Sequence, residues 1–238
     1  MTSPPRPWLC RSQYGKPKKS TPETVQPSYL TIVAISDTHE LHRELDVPLG
    51  DLLIHAGDFT MFSKSAAAIL DFNEWLGELP HRWKVCIPGN HEFFLVADPS
   101  RRRLISNATM LINEGVEIMG LKIWGSPTTP LYGGAFGMSS PEDRTKLWAK
   151  IPGDVDILIT HAPPYGILDQ SPGAVNHAGC PQLLDAVQRL KPKLHIFGHA
   201  HGAHGVVSSE DTLFVNAALL GIDGDLNQQA VVLRLPRT

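Results

Sequence analysis

Five apolar segments constrain the fold of this chain more than any other feature, because each ends in a turn residue or small polar group followed by Asp, Asn or His. The segments are residues 30–35, 51–56, 84–87, 156–160 and 194–197. Their apolar, β-branched runs lack the alternation of a strand with one wet face, which is typical of strands buried on both sides. Segments with helical spacing alternate with strands in the first half of the chain. The sequence therefore predicts an α/β domain.

The helical segments are marked by apolar spacing or by start signals. Residues 65–79 place Ile69, Phe72 and Leu76 at helical intervals. Helix-start signals and apolar spacing predict three more helices, over residues 98–110, 140–150 and 180–190. Further short strands are predicted within 115–124, on either side of a glycine, and at 206–207, 213–215 and 230–235. Because strands crowd the end of the chain, we expect two sheets and no internal repeat.

Composition and charge indicate one globular domain with an extension. Of 238 residues, 42% are hydrophobic and 19% are charged, and the formal charge is −3. This balance gives no strong case for nucleic acid or a membrane as partner. Residues 1–28 are rich in proline, lysine and arginine and predict a flexible, solvated tail, and residues 29–238 form the predicted domain. The first residues lack the apolar core of a signal peptide, so we expect a cytoplasmic location.

The three cysteines are far apart and odd in number. Cys10, Cys86 and Cys180 predict neither a disulfide framework nor a zinc site of the CxxC type. The eleven histidines are more informative because several of them follow the apolar segments.

Loops at the carboxyl ends of strands in an open α/β sheet converge on one crevice. Seven groups of metal-ligand type would meet there: Asp37, His39, Asp58, Asn90, His161, His199 and His201. Two buried carboxylates without a cation would repel each other. Mixed oxygen and imidazole donors suit Mn²⁺, Fe²⁺, Zn²⁺ or Co²⁺. We therefore expect two divalent cations, with Asp58 as the bridging ligand.

Each motif alone is weak, but the order DxH, GD, GNH, H and GHxH behind successive strands is specific. At these residues the chain resembles the calcineurin-like metallophosphoesterase superfamily. The stretches SDTHELH, VPLGDLLIHAGDFT, GNHEFF, WGSPTTPLYGGAFG, DILITHAPPYGILD and FGHAHGAHG resemble the metallophosphoesterase-domain-containing (MPPED-like) branch. The resemblance covers residues 30 to about 220, nearly all of the predicted domain.

The resemblance implies a four-layer α-β-β-α sandwich with two mixed sheets. It implies hydrolysis of phosphoesters, and in this branch of phosphodiesters including cyclic nucleotides. One metal would take Asp37, His39, Asp58 and His201, and the other Asp58, Asn90, His161 and His199, with Mn²⁺ as the first expectation. His91 corresponds to the catalytic histidine of the family.

The mechanism that we expect is attack on phosphorus by a hydroxide shared between the cations, while His91 protonates the leaving oxygen. The substrate would be a small phosphoester, with nucleotides among the candidates. Two alternatives stay open: the same site acting as a phosphomonoesterase or protein phosphatase, and a non-catalytic scaffold that keeps the fold. Neither the physiological substrate nor the oligomeric state follows from the sequence.

Several polar residues near the motifs have other expected roles. We expect Glu92 to cap the next segment rather than to orient its neighbour His91. His42 is interpreted as a surface loop histidine, and His55 and His195, inside apolar strands, as core residues. For Asn216, bracing of a ligand loop and an ordinary turn are equal alternatives.

Overall fold

Two β-sheets packed face to face form the centre of the chain in this computed structural model, which describes residues 29–62, 64–130, 134–170 and 175–236. The predicted tail, residues 1–28, lies outside the described residues. In chain order the strands are β1 (Tyr29–Ile35), β2 (Leu52–His55), β3 (Trp83–Cys86), β4 (Thr109–Met110), β5 (Glu114–Ile118), β6 (Leu121–Ser126), β7 (Ile157–Thr160), β8 (Leu194–Phe197), β9 (Gly205–Ser208), β10 (Leu213–Asn216) and β11 (Val231–Pro236). The α-helices are α1 (Ala66–Glu78), α2 (Phe93–Val96), α3 (Pro141–Trp148) and α4 (Pro181–Leu190).

Both sheets are mixed. The first has the order β11-β1-β2-β3-β4, and the second has the order β5-β6-β7-β8-β10-β9. In the first sheet β1 to β4 are parallel and β11 is antiparallel to β1. In the second, β6, β7, β8 and β10 are parallel, and the two edge strands are antiparallel to their neighbours. The expected α/β class with two mixed sheets is confirmed.

Three apolar cores separate four layers. Side chains such as Ile32, Ile54 and Ile196 fill the space between the sheets. A second core packs α1 against the outer face of the first sheet, and a third packs α3 and α4 against the outer face of the second. The buried faces of β1, β2, β7 and β8 explain why their sequences are almost continuously apolar.

Local start signals predicted the beginnings of α3 and α4 correctly. Ser140 accepts a hydrogen bond from the backbone N–H of Asp143 and caps α3, whose first residue is Pro141. Pro181 likewise opens α4. Cys86 and Cys180 are buried free thiols, and Cys10 lies outside the described residues.

The helix predicted over residues 98–110 is wrong. Asp98 does cap a helix, since its carboxylate accepts a hydrogen bond from the backbone N–H of Ser100. That helix is only a short 3-10 helix, Pro99–Leu104. The segment then turns, and Thr109–Met110 pairs with Val85–Cys86 as β4. Pairing with a strand that lies far earlier in the chain outweighs local helix propensity here. The short helix α2 was not predicted.

The carboxyl ends of the parallel strands of both sheets lie together. Ser36, after β1, forms a parallel bridge with Ala218, after β10, and so joins the end of one sheet to the end of the other. Within the second sheet, the N–H of Gly198 donates to the carbonyl of His161 at 3.1 Å. The loops that follow β1, β2, β3, β7 and β8 therefore meet at one crevice.

Candidate metal centre

The loops at this crevice hold their polar residues in unusual backbone conformations. Asp37, His39, Asp58 and His199 have positive φ angles of 55°, 41°, 53° and 68°. A left-handed conformation costs a non-glycine residue about 1 kcal/mol, and it persists where surrounding contacts impose it. Here one contact is the N–H of Asp37, which donates to the carbonyl of Gly57 at 2.9 Å. The chain is thus turned sharply at the end of each strand so that these side chains point into the crevice.

One cluster consists of Asp37, His39 and His201. The Nε2 atom of His201 lies 3.2 Å from Oδ1 of Asp37 and 3.3 Å from Nε2 of His39. The imidazole of His39 is oriented from its other side, because Nδ1 donates to the carbonyl of Thr60 at 3.2 Å. Its Nε2 lone pair therefore faces the cluster, as a metal-binding histidine requires.

A second cluster consists of Asp58, His161, His199 and Asn90. Nε2 of His161 lies 3.1 Å from Oδ2 of Asp58 and 2.8 Å from Oδ1 of Asn90. A nitrogen of His199 lies within 4.8 Å of the ligand atoms of Asp58 and His161. The ring centroids of His161 and His199 are 5.1 Å apart.

Asp58 joins the two clusters. Its Oδ2 lies 3.1 Å from Nε2 of His161 in the second cluster and 3.9 Å from Nε2 of His39 in the first. The structure thus brings together all seven residues that were predicted as ligands, in the two groups that the resemblance implied. Their roles as ligands stay a prediction.

The orientation of His161 indicates that the crevice takes a cation. Nδ1 of His161 donates to the carbonyl of Ala56 at 3.0 Å, so Nε2 carries the lone pair in the neutral ring. That lone pair faces two oxygen acceptors, Asp58 Oδ2 and Asn90 Oδ1. A positive charge among these acceptors, either a proton or a metal ion, stabilises the arrangement. The donor set of carboxylate, amide oxygen and imidazole suits a divalent transition metal.

Without a metal, protons have to compensate the buried carboxylates. Burial alone would raise the pKa of Asp37, but the hydrogen bond from His201 and the charge of His161 hold it well below its usual range. Burial would lower the pKa of His161, but the charge of Asp58 and its hydrogen bond raise it to about 10. The imidazoles thus take up the positive charge that divalent cations would otherwise supply.

His91 stands beside these clusters and is partly open to solvent. Its Nε2 lies 3.8 Å from Oδ2 of Asp58, and its side chain is 15% exposed. Its backbone N–H donates to Oδ1 of Asp58 at 2.9 Å, which ties the two motifs together. Burial lowers the pKa of His91, and the charge of Asp58 only partly opposes this shift.

Glu92 lies at the N-cap position of α2, but its side chain makes no capping hydrogen bond there. Its fully buried carboxylate accepts hydrogen bonds from the N–H groups of Gly89, Asp58 and Thr60 and from the hydroxyl of Thr60. Glu92 thus caps the next segment by its position only, and its side chain has a different role. Glu92 holds the loop after β2 against the loop after β3, which fixes Asp58 relative to Asn90.

The carboxylate of Glu92 also bears on the charge of the site. Burial and the charge of Asp58 raise the pKa of Glu92 to about 8. Three backbone N–H groups donate to its oxygens and favour the ionised form, and divalent cations bound nearby would favour it further.

Two glycines of the motifs are required by close approach. A Cβ atom on Gly89 would overlap Oδ1 of Asp58, and one on Gly198 would overlap Oδ2 of Asp37 and the hydroxyl of Ser36. The glycines of GNH and GHxH thus let the backbone pass directly behind each carboxylate.

Three other histidines, His42, His55 and His195, have structural roles. His55 and His195 are fully buried core residues, as expected, and each donates from Nε2 to a threonine hydroxyl, at 3.0 Å and 2.8 Å. The interpretation of His42 as a surface residue is wrong, because it is buried and its Nε2 contacts Asp71 at 2.9 Å. The reason is tertiary: the loop after β1 folds back onto α1, and Phe72 and Trp75 pack around the ring of His42.

Asn216 braces a ligand loop, the first of the two alternatives open from the sequence. Its side-chain amide donates to the carbonyl of Ala200 at 2.9 Å and to that of Leu168 at 3.0 Å. Ala200 lies between His199 and His201, so this bond fixes the GHxH loop.

The comparisons with known proteins agree with this geometry. The family model described as calcineurin-like phosphoesterase matches residues 30–203. The chain belongs to this family. The expected resemblance is confirmed, and membership together with the His and Asp clusters supports a metal-dependent phosphoesterase.

Relatives of this phosphoesterase include proteins of the expected branch. "Metallophosphoesterase domain-containing protein 1" from Homo sapiens is 36% identical over 236 residues, covering 88% of this chain and 72% of the relative. "UPF0046 protein K07C11.7" from Caenorhabditis elegans is 37% identical over 233 residues, covering 92% of this chain and 79% of the relative.

A solved structure supports the fold of the phosphoesterase domain. The crystal structure of TT1561 from Thermus thermophilus has a TM-score of 0.54 and 14% identity, covering 79% of this chain and 88% of that chain.

Within the described ranges, every helix is too short or too polar to span a bilayer.

Proposed function

We propose that this phosphoesterase hydrolyses phosphodiesters, with cyclic nucleotides among the candidate substrates, at a centre of two divalent cations, Mn²⁺ first among them. Asp37, His39, Asp58 and His201 would hold one cation, and Asp58, Asn90, His161 and His199 the other. The carrying observation is that Asp58 belongs to two groups of ligand atoms, one with His161 and His199 and one with His39 and His91, and that His39 also belongs to a third group with Asp37 and His201. Within each group the ligand atoms lie within 4.8 Å of one another. Bound there, the cations would supply a hydroxide nucleophile near neutral pH and offset charge on the phosphoryl oxygens.

The residues of the chain supply the rest of the reaction. The buried ligand loops exclude water from the side of the site that faces the sheets, and His91 stands on the open side. In the proposed reaction a P–O bond forms to the hydroxide and the P–O bond to the leaving group breaks. Nε2 of His91 then gives its proton to the leaving oxygen and is reprotonated from solvent. The lowered pKa of His91 makes its protonated form a stronger acid and leaves a smaller fraction of the imidazole protonated near neutral pH.

The preference for diesters over monoesters is inferred from the resemblance to the MPPED-like branch. A phosphomonoesterase or protein phosphatase with the same site is the second candidate, and a non-catalytic scaffold the third.

The test is an assay of the purified protein with Mn²⁺ on bis-p-nitrophenyl phosphate and p-nitrophenyl phosphate in parallel, with metal content measured on the same sample. We expect two metal ions per chain and a higher kcat/KM for the diester. A higher value for the monoester would favour the second candidate. Turnover of neither ester at full metal content would favour the scaffold.

The role of His91 is tested with the metal-loaded protein on methyl phenyl phosphate, a diester whose basic leaving phenolate needs a proton donor. We expect His91→Ala to lower kcat about 100-fold or more while the protein keeps both metal ions, because only the proton donor is removed. Unchanged turnover at full metal content would exclude His91 as the acid.

A further inference from the structure

The imidazole of His91 lacks the usual means of orientation. Histidines that bind metal or move protons are generally fixed by a hydrogen bond to the second ring nitrogen. Nδ1 of His91 is buried and has no hydrogen-bond partner among the described residues. Another interaction has to hold the ring with Nε2 directed toward the crevice.

The ring of Phe62 supplies the closest packing on that imidazole. The two ring centroids are 3.7 Å apart and the planes are inclined by only 24°, so the rings stack face to face. The ring of His39 meets His91 edge-on from another direction, with centroids 4.5 Å apart and an angle of 69°. The imidazole is thus enclosed by one stacked ring and one edge contact.

The position of Phe62 is imposed by its loop. Phe62 has a φ of 54°, the left-handed conformation that large side chains rarely adopt. The residues before it are anchored: the N–H of Met61 donates to Oε1 of Glu40 at 2.9 Å, and the N–H of Thr60 donates to Glu92. The backbone therefore delivers the aromatic ring to His91 although 53% of the residue stays exposed.

Ordinary core packing does not account for this arrangement. A large aromatic side chain that is half exposed, on a strained backbone, buries less apolar surface than it could in the core. Its partner is the proposed proton donor, on the open side of the metal centre. The functional consequence is the fixed direction of Nε2.

We propose that Phe62 is a positioning residue for the reaction, which orients His91 toward the leaving oxygen by stacking on its imidazole in place of a hydrogen bond to Nδ1. This inference rests on the proposed function, since it assumes that His91 donates a proton to the leaving group. The side chain of Phe62 offers neither a metal ligand nor a group that could transfer a proton.

If Phe62 orients His91, the loss of turnover on removing the ring of Phe62 should depend on the leaving group of the substrate. Methyl p-nitrophenyl phosphate releases a stable phenolate that needs little protonation, whereas methyl phenyl phosphate releases a more basic one that needs the acid. A misdirected acid therefore slows the second ester more than the first. Damage to the fold or to metal binding would slow both alike.

The experiment compares Phe62→Leu, which removes the flat ring, with Phe62→Tyr, which keeps it. In Phe62→Leu we expect kcat for methyl phenyl phosphate to fall about tenfold further than kcat for methyl p-nitrophenyl phosphate, with KM changed alike for both. Phe62→Tyr should keep the wild-type ratio. Tyr29→Leu is the matched control, because it also removes a half-exposed aromatic ring, of 45% exposure. Tyr29 is the first residue of β1 and lies at the end of that strand opposite the metal centre.

A second measurement does not depend on activity. In the protein loaded with diamagnetic Zn²⁺, the stacked ring of Phe62 should displace the NMR signals of the His91 ring protons. The displacement should disappear in Phe62→Leu and persist in Phe62→Tyr and Tyr29→Leu.

The outcomes separate this inference from the proposed function. Equal losses for the two esters in Phe62→Leu, or no loss, would overturn the positioning role. So would His91 signals that do not respond to Phe62→Leu. If the wild type turned over neither ester with both metals bound, the proposed function would fail, while the NMR result would still decide whether Phe62 holds the ring of His91.

Discussion

Charge and close approach dominate the site at the scale of single residues. Asp37 and Asp58 are buried carboxylates surrounded by imidazoles, and the backbone of a ligand loop passes each carboxylate too closely for a Cβ atom. The tight approach of Gly198 to Asp37 sets the position of His199 as well, since the N–H of His199 donates to both oxygens of Asp37. A methyl group added at residue 198 should therefore reduce metal binding while the fold is retained.

We expect Gly198→Ala to lower bound metal from two equivalents to one or fewer, because its Cβ would displace the carboxylate of Asp37. Metal analysis of the purified protein checks this, and circular dichroism should show the secondary structure retained. Gly153→Ala is the control, since its Cβ would meet nothing within 4 Å. Full metal content in Gly198→Ala would mean that the loop can move aside without cost.

At the scale of the elements, strands that are buried on both faces place neutral histidines in the core. His195, in the middle of β8, is fully buried, and its Nε2 donates to the hydroxyl of Thr160 on the neighbouring strand β7. Burial lowers the pKa of His195 to about 3. As the pH falls, the imidazole of His195 is therefore protonated in the unfolded chain at a much higher pH than in the folded chain.

Stability should fall as the pH drops below the unfolded pKa of His195, about 6.5, and should continue to fall toward pH 3. The unfolded state binds the proton in this window and the folded state does not. Between pH 7 and pH 5 we expect the free energy of unfolding of the metal-free wild type to fall by about 2 kcal/mol more than that of His195→Phe. Urea unfolding at the two pH values measures both. Equal pH dependence of the two proteins would show that His195 is protonated in the fold.

The elements also show where prediction from sequence stops. The strands that precede the motifs, and the helices α1, α3 and α4, could be predicted because their signals are local: apolar runs, helical spacing, or a cap followed by proline. The strand β4 could not, because Thr109–Met110 has its pairing partner in β3. The burial of His42 was missed for the same reason, since its partners lie on α1.

At the scale of the whole molecule, the centre lies where the two sheets meet, so metal binding should contribute to global stability. A ligand that binds only the folded state stabilises it by about 2.7 kcal/mol at a concentration of 100 times Kd. For a chain of 238 residues we expect Tm to rise by about 5–10 °C on adding Mn²⁺ to chelated protein, measured by calorimetry. Asp58→Asn should respond much less. An equal rise in that variant would indicate metal binding elsewhere.

The sequence by itself determined which chemistry is present. The donor groups and their order behind apolar segments were enough to predict the α/β class, the family and the seven residues that the structure brings together, because short motifs and local periodicity carry that information. Only the tertiary structure decided how these residues are held. The bonds from the amides of Asp58 and Thr60 to Glu92, the bond from Asn216 to the GHxH loop and the stacking of Phe62 on His91 all join different segments of the chain. Such contacts depend on how two sheets and their loops pack against each other, and no local pattern of residues encodes that packing.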